Sequence, residues 1–511
     1  MAFASMVLFA LPATAQDATW TGTTSADWFI SSNWSALTVP SGTATFTDNG
    51  APTAVAVVGN GSIGTILLTS QAPAYSFTGV GFNGGFTGGG IVNNSSYAPS
   101  FTFNGGVTPF YNSSSAGNAN ITLTNGNIYF EHQSTAGTAN INISSSALVQ
   151  FQNSATAANS TIANNGSLAF FSTTAGNSTI FNNGSLAFYD TATAGNATIT
   201  TNSGATTVFR PSYGGGPPAT STAGQARLIT NGGGVVDFSG TAGPASDNKL
   251  TAGSIEGAGN LYLGANQLTV GGNNLSTTAS GVISDCGSGS SCFNNFSSST
   301  GGSLVKIGTG TLTLAGNNTY TGGTTINGGT LAVNGSIAAS NLTSVNTGGT
   351  LTGTGTVGNT QINSGGIFAP GAAGMPGTSM TVSGNLVFLP SSMYLVEINP
   401  TTASFANVTG TATLNGASFH ANFDLGNYTA MQYLLLSAAG GVFGTFSAFD
   451  ISNLPSGLSY SLSYDANDVY LNERISATPL PSTWGMMLLG LGVLGFMGHR
   501  RKRKDSLLAA S

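Results

Sequence analysis

The chain has 511 residues, of which only 5% are charged, against about 25% in an ordinary soluble domain. Its ten lysines and arginines are too sparse outside the C-terminus to form a basic patch, which argues against a nucleic-acid partner. Hydrophobic residues still make up 40% of the chain, so it can bury a core and is not expected to be disordered.

Residues 1–15 predict a signal peptide. A small apolar run from Met6 to Leu11 precedes Ala13-Thr14-Ala15, and an A-x-A triplet after such a run is typical of signal-peptide cleavage. Cleavage after Ala15 makes Gln16 the expected mature start. Because no Lys or Arg precedes the apolar run, we expect the true start codon to lie upstream. The chain is therefore expected to be exported.

Residues 111–300 repeat with a period of about 20 residues, and residues 16–110 are interpreted as the β-rich start of the same structure. The element Ala-Gly-Asn, or a near match, begins at residue 116 and recurs after 20, 21, 18 and 19 residues. Two short strand patterns follow each copy, and such a repeat predicts a β-solenoid whose stacked rungs share one core. The regular apolar positions argue against a Gly/Ser-rich linker. The residues expected to point inward are Ile121, Ile128, Phe130, Ile141, Ile143, Leu148, Phe151, Ile162, Leu168, Phe170, Ile180, Leu186, Phe188, Ile199 and Val208.

Cys286 and Cys292 are the two cysteines of the chain. In an exported protein such a close pair predicts one small disulfide loop. No histidine or second cysteine pair lies nearby, so a metal site is not favoured. No cofactor is expected.

The acidic residues are scattered, which argues against an enzyme. Polysaccharide hydrolysis needs clustered carboxylates that act as acid, base or nucleophile. Asp237 and Glu256, 19 residues apart, form the best candidate pair, with Arg210 and Arg227 upstream. Isolated solvated charges are the preferred interpretation, and a polysaccharide-active β-helix enzyme is kept as an alternative.

Residues 476–511 form a tail with three parts. The first holds Pro479, Pro481, Ser482, Thr483 and Trp484. An apolar run, Gly485 to Gly498, then leads into a basic cluster. This pattern predicts a short transmembrane helix with its basic end in the cytoplasm and the body outside the inner membrane. The basic cluster comprises Arg500, Arg501, Lys502, Arg503 and Lys504.

Residues 301–384 carry a more specific pattern. Lys306, Gly308-Thr309-Gly310 and Tyr320-Thr321-Gly322-Gly323-Thr324 stand within a segment that closely resembles the autotransporter-associated β-strand repeat of bacterial surface proteins. A weaker copy follows at residues 348–371. The tryptophan-rich opening is similar to the start of the same passengers, and residues 385–475 are similar to their last segment, interpreted as a β-rich cap.

The tail resembles the PEP-CTERM sorting signal, which an exosortase recognises. The usual Glu between the prolines is replaced by Leu480. The resemblance implies export and surface sorting in a Gram-negative bacterium, often beside exopolysaccharide and biofilm matrix.

Together these features predict an all-β protein: a parallel β-helix with a C-terminal β-rich cap and a short C-terminal transmembrane helix. We expect a non-catalytic, adhesive or structural protein at the cell surface or outside the cell, anchored in the membrane at least transiently. A second alternative is an autotransporter passenger secreted with a separate barrel. The expected partners are the inner membrane, an exosortase-type enzyme, and surface polysaccharide or other rods.

Overall fold

A computed structural model describes residues 15–212, 219–286, 300–429, 431–453, 455, 457–475 and 482–507. The described body is all-β apart from a 3₁₀ turn at Ser31–Asn33. The predicted parallel β-solenoid is confirmed, since the paired strands are parallel until the last two pairings of the body.

The first part of the solenoid is a single sheet of 21 strands, formed by β1–β18 with β20, β21 and β24. Its first eighteen strands are β1 (Ala18–Thr19), β2 (Thr43–Phe46), β3 (Ala54–Val57), β4 (Ser62–Leu68), β5 (Ser76–Gly79), β6 (Gly85–Asn93), β7 (Ser100–Phe110), β8 (Asn120–Phe130), β9 (Asn140–Ile143), β10 (Ala147–Gln152), β11 (Thr161–Asn164), β12 (Ser167–Phe171), β13 (Thr179–Asn182), β14 (Ser185–Tyr189), β15 (Thr198–Thr201), β16 (Thr206–Arg210), β17 (Arg227–Thr230) and β18 (Val235–Asp237).

The second part has three columns of strands, which are separate sheets of nine, eight and seven strands. Its strands, with the three that complete the first sheet, are β19 (Lys249–Ala252), β20 (Ser254–Glu256), β21 (Asn260–Tyr262), β22 (Gln267–Val270), β23 (Thr277–Ala279), β24 (Ile283–Ser284), β25 (Ser303–Lys306), β26 (Thr311–Leu314), β27 (Thr324–Ile326), β28 (Gly329–Val333), β29 (Ser336–Ile337), β30 (Thr343–Val345), β31 (Gly349–Gly353), β32 (Thr356–Val357), β33 (Thr360–Ile362), β34 (Ile367–Pro370), β35 (Ser379–Val382), β36 (Leu386–Phe388), β37 (Met393–Ile398), β38 (Phe405–Val408), β39 (Ala412–Thr413), β40 (Ser418–Phe423), β41 (Gln432–Ala438), β42 (Val442–Phe443), β43 (Ala448–Ser452), β44 (Leu458–Tyr464) and β45 (Asp468–Ile475).

Stacking in register places like residues above one another inside the rod. Ile162 of β11, for example, lies between its counterparts in β9 and β13. A second column is a ladder of parallel phenylalanine rings whose centroids are 4.5–5.0 Å apart, close to the spacing of neighbouring strands. Ring faces therefore pack continuously along the axis. The ladder comprises Phe86, Phe110, Phe130, Phe151, Phe170, Phe188, Phe209 and Phe238.

The recurring Ala-Gly-Asn element forms a corner of the rung. At the clearest copy, the Thr174 hydroxyl accepts the N–H of Gly176 at 3.0 Å, and Gly176 has a φ of 66°. Glycine suits this left-handed conformation because it has no Cβ. Ala158 occupies the same place one rung earlier, at a φ of 51°, so that copy carries local backbone strain.

The predicted inward residues are buried, with one exception. Leu148 is half-buried and faces outward, because its neighbours Ala147 and Val149 point into the core. This error is a shift of one residue, which in a strand moves a side chain to the opposite face. Val208 is buried and aligns with Ala187, next to Phe209 of the phenylalanine ladder.

Both ends of the rod are closed by packed side chains. At the start, the buried Trp20 and Trp28 each pack edge to face against Trp34, and the Trp34 Nε1–H donates to the Trp28 carbonyl at 2.7 Å. At the other end, β45 runs antiparallel to β41 and β44. Such caps are needed because an open end of a solenoid exposes apolar core and unpaired strand edges.

The tail contains α1 (Ser482–Leu507), so the predicted C-terminal helix is confirmed as a helix. No helix in the described ranges is both long and apolar enough to cross a membrane. The transmembrane assignment is therefore not supported. The apolar part of α1 is interrupted by five glycines, and the basic cluster that begins at Arg500 lies within the helix itself.

Candidate functional site

The predicted catalytic pair does not stack. Asp237 aligns with Tyr262 in the column formed by β18 and β21, whereas Glu256 aligns with Ile229 in the column of β17 and β20. Asp237 is buried, and its Oδ1 accepts the Ser239 N–H at 2.8 Å. The 19-residue spacing was misleading because the rung is longer here, so that Asp237 aligns with a residue further along the chain, Tyr262.

Glu256 instead lines a groove on the outer surface, which has a volume of about 590 Å³. Outward side chains of four successive strands, β17, β20, β23 and β26, form this groove. β17 pairs with β20, a single bridge from Gly257 to Ala279 links β20 to β23, and β23 pairs with β26. The groove thus lies where the 21-stranded sheet gives way to the eight-stranded sheet.

The polar groups of the groove are an ion pair and a row of hydroxyls. Arg227 Nε donates to Glu256 Oε1 at 2.5 Å, and the two side chains are 43% and 17% exposed. The hydroxyl-bearing residues Thr278, Thr311 and Thr313 line the same groove. These groups offer hydrogen-bond donors and acceptors without net charge.

Two charged residues near the repeat segment are used inside the fold. Lys306 is 1% exposed, and its ammonium donates to the carbonyls of Ile307, Gly308 and Gly328 at 2.7, 3.3 and 3.2 Å. Burial lowers the pKa of Lys306 below its ordinary value. A lysine at this position therefore closes a corner of the rung by satisfying three carbonyl groups.

Asp285 does the same for backbone N–H groups. One carboxylate oxygen accepts the Gly302 and Thr321 N–H groups at 3.0 and 3.1 Å. The other accepts the Gly301 N–H at 3.2 Å and the Thr321 hydroxyl at 2.7 Å. Asp285 therefore joins the chain on both sides of residues 287–299 to the next rung.

A serine, a histidine and an aspartate meet near the C-terminal end of the solenoid. His420 Nδ1 lies 3.0 Å from Asp450 Oδ2, and its Nε2 lies 3.2 Å from Ser452 Oγ. However, the Ser452 hydroxyl donates to Asn422 Oδ1 at 2.8 Å, and the Asp450 side chain is 79% exposed. A hydroxyl that donates to Asn422 cannot also donate to the imidazole, so His420 is not placed to take a proton from Ser452 as it would from an activated nucleophile. These contacts instead tie β43 to β40.

The cap contains a buried carboxyl. Glu473 is 5% exposed, and no hydrogen bond of ordinary geometry reaches its side-chain oxygens from the described residues. Tyr460 lies opposite it on β44, Tyr433 is on β41, and Tyr428 precedes β41. Burial raises the pKa of Glu473, and burial with the nearby Asp424 carboxylate raises the pKa of Tyr428 to about 12. The site favours a neutral carboxyl.

Several predicted positions fall outside the described ranges, namely Ala13, Cys292, Pro479 and Pro481. Ala15 is exposed just before β1. Cys286 is disulfide-bonded, and its pairing with Cys292 stays a prediction. Ser482, Thr483 and Trp484 begin α1, and Arg500, Arg501, Lys502, Arg503 and Lys504 lie in its last turns.

Comparison with known proteins identifies two short segments. Residues 304–333 match the passenger-associated transport repeat, and residues 477–502 match the PEP-CTERM protein-sorting motif. An extracellular serine protease of Serratia marcescens is 32% identical over 180 residues, which are 33% of this chain and 17% of that protein. The adhesin BmaC autotransporter of Brucella suis biovar 1 (strain 1330) is 34% identical over 134 residues, 26% of this chain and 3% of the adhesin.

The chain therefore covers less than a fifth of the length of either relative. It joins an autotransporter-like passenger β-helix to a PEP-CTERM sorting tail, a combination that implies export to the surface.

Proposed function

We propose that this chain is a structural and adhesive rod of the Gram-negative cell surface, which associates with the envelope or with the biofilm matrix. The observation that carries the proposal is that one chain contains both a solenoid closed at its two ends and a sorting motif. A rod with a sparse charge and a continuous core suits a load-bearing or spacing role. The adhesin relative supports an adhesive role.

We further propose that the tail takes the rod to the inner membrane and is then processed by an exosortase-type enzyme. Pro479, Pro481 and the residues up to Trp484 would be recognised, while the basic cluster from Arg500 would hold the cytoplasmic side. The match to the sorting motif supports this route. Leu480 replaces the acid expected between the prolines, so processing of this chain should be slow.

Fractionation of producing cells with mass spectrometry of the mature C-terminus tests this proposal. We expect surface or extracellular protein that lacks the Arg-Lys end. Leu480→Glu should speed the loss of that end, while Leu342→Glu, at a half-exposed position on the body, should not. Recovery of the intact basic end in the inner membrane, for both the unaltered chain and Leu480→Glu, would rule out sorting and release.

No enzymatic function is proposed. Within the described ranges, Asp237 and Glu256 lie in different columns, and the Ser452 hydroxyl donates away from His420.

A further inference from the structure

We propose that the groove lined by Arg227 and Glu256 is a carbohydrate-binding site that takes a neutral, hydroxyl-rich polysaccharide strand. This inference rests on the proposed surface function, and it names the ligand class and the residues that would bind it. The groove follows the rod axis across four strands, which is about 14 Å at roughly 4.8 Å for each step. Its volume of about 590 Å³ lies within the range of about 300–1,000 Å³ that is usual for ligand sites.

The ion pair leaves hydrogen-bonding capacity that faces the groove. A guanidinium has five N–H donors, and Nε is the donor that bonds Glu256. The side chain of Arg227 shows no other hydrogen bond within the described ranges, and neither does Glu256 Oε2. A vicinal diol accepts from one group and donates to the other, so it complements an adjacent guanidinium and carboxylate.

Stability alone does not account for this pair. An exposed ion pair contributes about 0–1 kcal/mol, and the Arg227 side chain is 43% exposed. Charged residues make up only 5% of the chain, yet two of opposite sign lie together in this groove. Thr278, Thr311 and Thr313 continue the polar surface along the axis.

Charge balance selects the ligand class. Because Arg227 and Glu256 neutralise each other, the groove has no excess positive charge to attract a phosphate or polyuronate strand. No aromatic ring is among the described residues that line the groove, so these residues offer no stacking against a sugar ring. We therefore expect weak binding of short oligosaccharides and stronger binding of polymers that engage several rods at once.

Affinity electrophoresis of the purified full chain in gels that contain a soluble polysaccharide tests the site. Laminarin and dextran serve as neutral probes and alginate as the acidic probe. We expect retardation by a neutral polymer, with an apparent affinity about tenfold lower for Arg227→Met and for Glu256→Gln, since each change removes charge-assisted hydrogen bonds. Lys249→Met is the matched control, because Lys249 forms an exposed ion pair with Asp247 outside the groove. Thermal unfolding of each variant verifies that the fold is retained.

Three results would overturn the inference. Retardation by alginate alone would indicate an anion site, and equal retardation of all variants would place binding elsewhere on the rod. If fractionation finds the chain at the surface but no gel retards it, the groove is not a carbohydrate-binding site, and the proposed surface function still stands. Failure of export would instead count against the proposed function, whatever the gels show.

Discussion

Replacing Phe170 by alanine tests whether the phenylalanine ladder stabilises the rod. Phe170 is fully buried on β12, with ring centroids 4.9 Å from Phe151 and 5.0 Å from Phe188, and both pairs of rings lie within 7° of parallel. Truncation of a buried Phe to Ala costs about 3–5 kcal/mol. Each aromatic pair contributes about 0.5–1.5 kcal/mol beyond burial, and two pairs are lost. We therefore expect the upper end of that range, about 4–5 kcal/mol.

The change should be local, because rungs of a solenoid contact only their neighbours and open as separate units. Hydrogen exchange with mass spectrometry, which reports protection peptide by peptide, is the appropriate assay. Peptides that cover β10, β12 and β14 should lose protection, while peptides from β37 to β41 should not. Phe170→Leu, which keeps apolar volume but removes both ring contacts, should cost about 1–2 kcal/mol.

Phe181→Ala provides the matched control. Phe181 lies on β13, the strand between β12 and β14 in the chain, but its side chain is 44% exposed. A surface substitution of this kind usually changes stability by less than about 0.5 kcal/mol. Equal loss of protection in Phe170→Ala and Phe181→Ala would refute the ladder as a source of stability.

Three further predictions concern buried ionisable groups. Because burial raises the pKa of Glu473, its contribution to cap stability should be full below the ordinary Glu value of about 4.3 and be lost as pH rises through the folded value. The melting temperature of the full chain should show this loss of stability as pH rises, and Glu473→Gln should abolish the pH dependence. An unchanged pH dependence in Glu473→Gln would contradict the prediction. Lys306→Met should destabilise by about 1–3 kcal/mol, because three carbonyls lose their donor; chemical unfolding equal to that of Lys249→Met would disprove this. Asp285→Asn should destabilise the chain by about 1–3 kcal/mol, since an amide cannot accept the bonds of both carboxylate oxygens. Hydrogen exchange at β25 should therefore become faster, and unchanged exchange there would contradict this prediction.

Local chemistry made much of the fold predictable. The Ala-Gly-Asn element recurs because every rung needs a corner residue with positive φ, as at Gly176. Isoleucine and phenylalanine recur because stacked rungs share one core, so Ile162 and Phe170 were correctly assigned to the interior. Leu148 was misplaced because a one-residue shift in the alignment of two copies reverses the face of a strand.

Less of the candidate site could be predicted from the sequence. Glu256 was paired with Asp237, and Arg227 was named only as a residue upstream, whereas Glu256 bonds Arg227, 29 residues earlier in the chain. A rung near β17 is longer than the average repeat, so a constant period does not give the correct neighbour. The buried carboxyl of Glu473 was not anticipated, since its environment exists only after β45 folds against β41 and β44.

The sequence by itself determined that the chain stacks as a solenoid, which residues form its corners, and that a sorting tail follows it. Those properties depend on residues close together in the chain, repeated often enough to be recognised. The tertiary structure alone decided which charges meet, where the groove opens and how the cap closes. These depend on the number of strands in each rung, because the change from one sheet to three alters which side chains lie above one another.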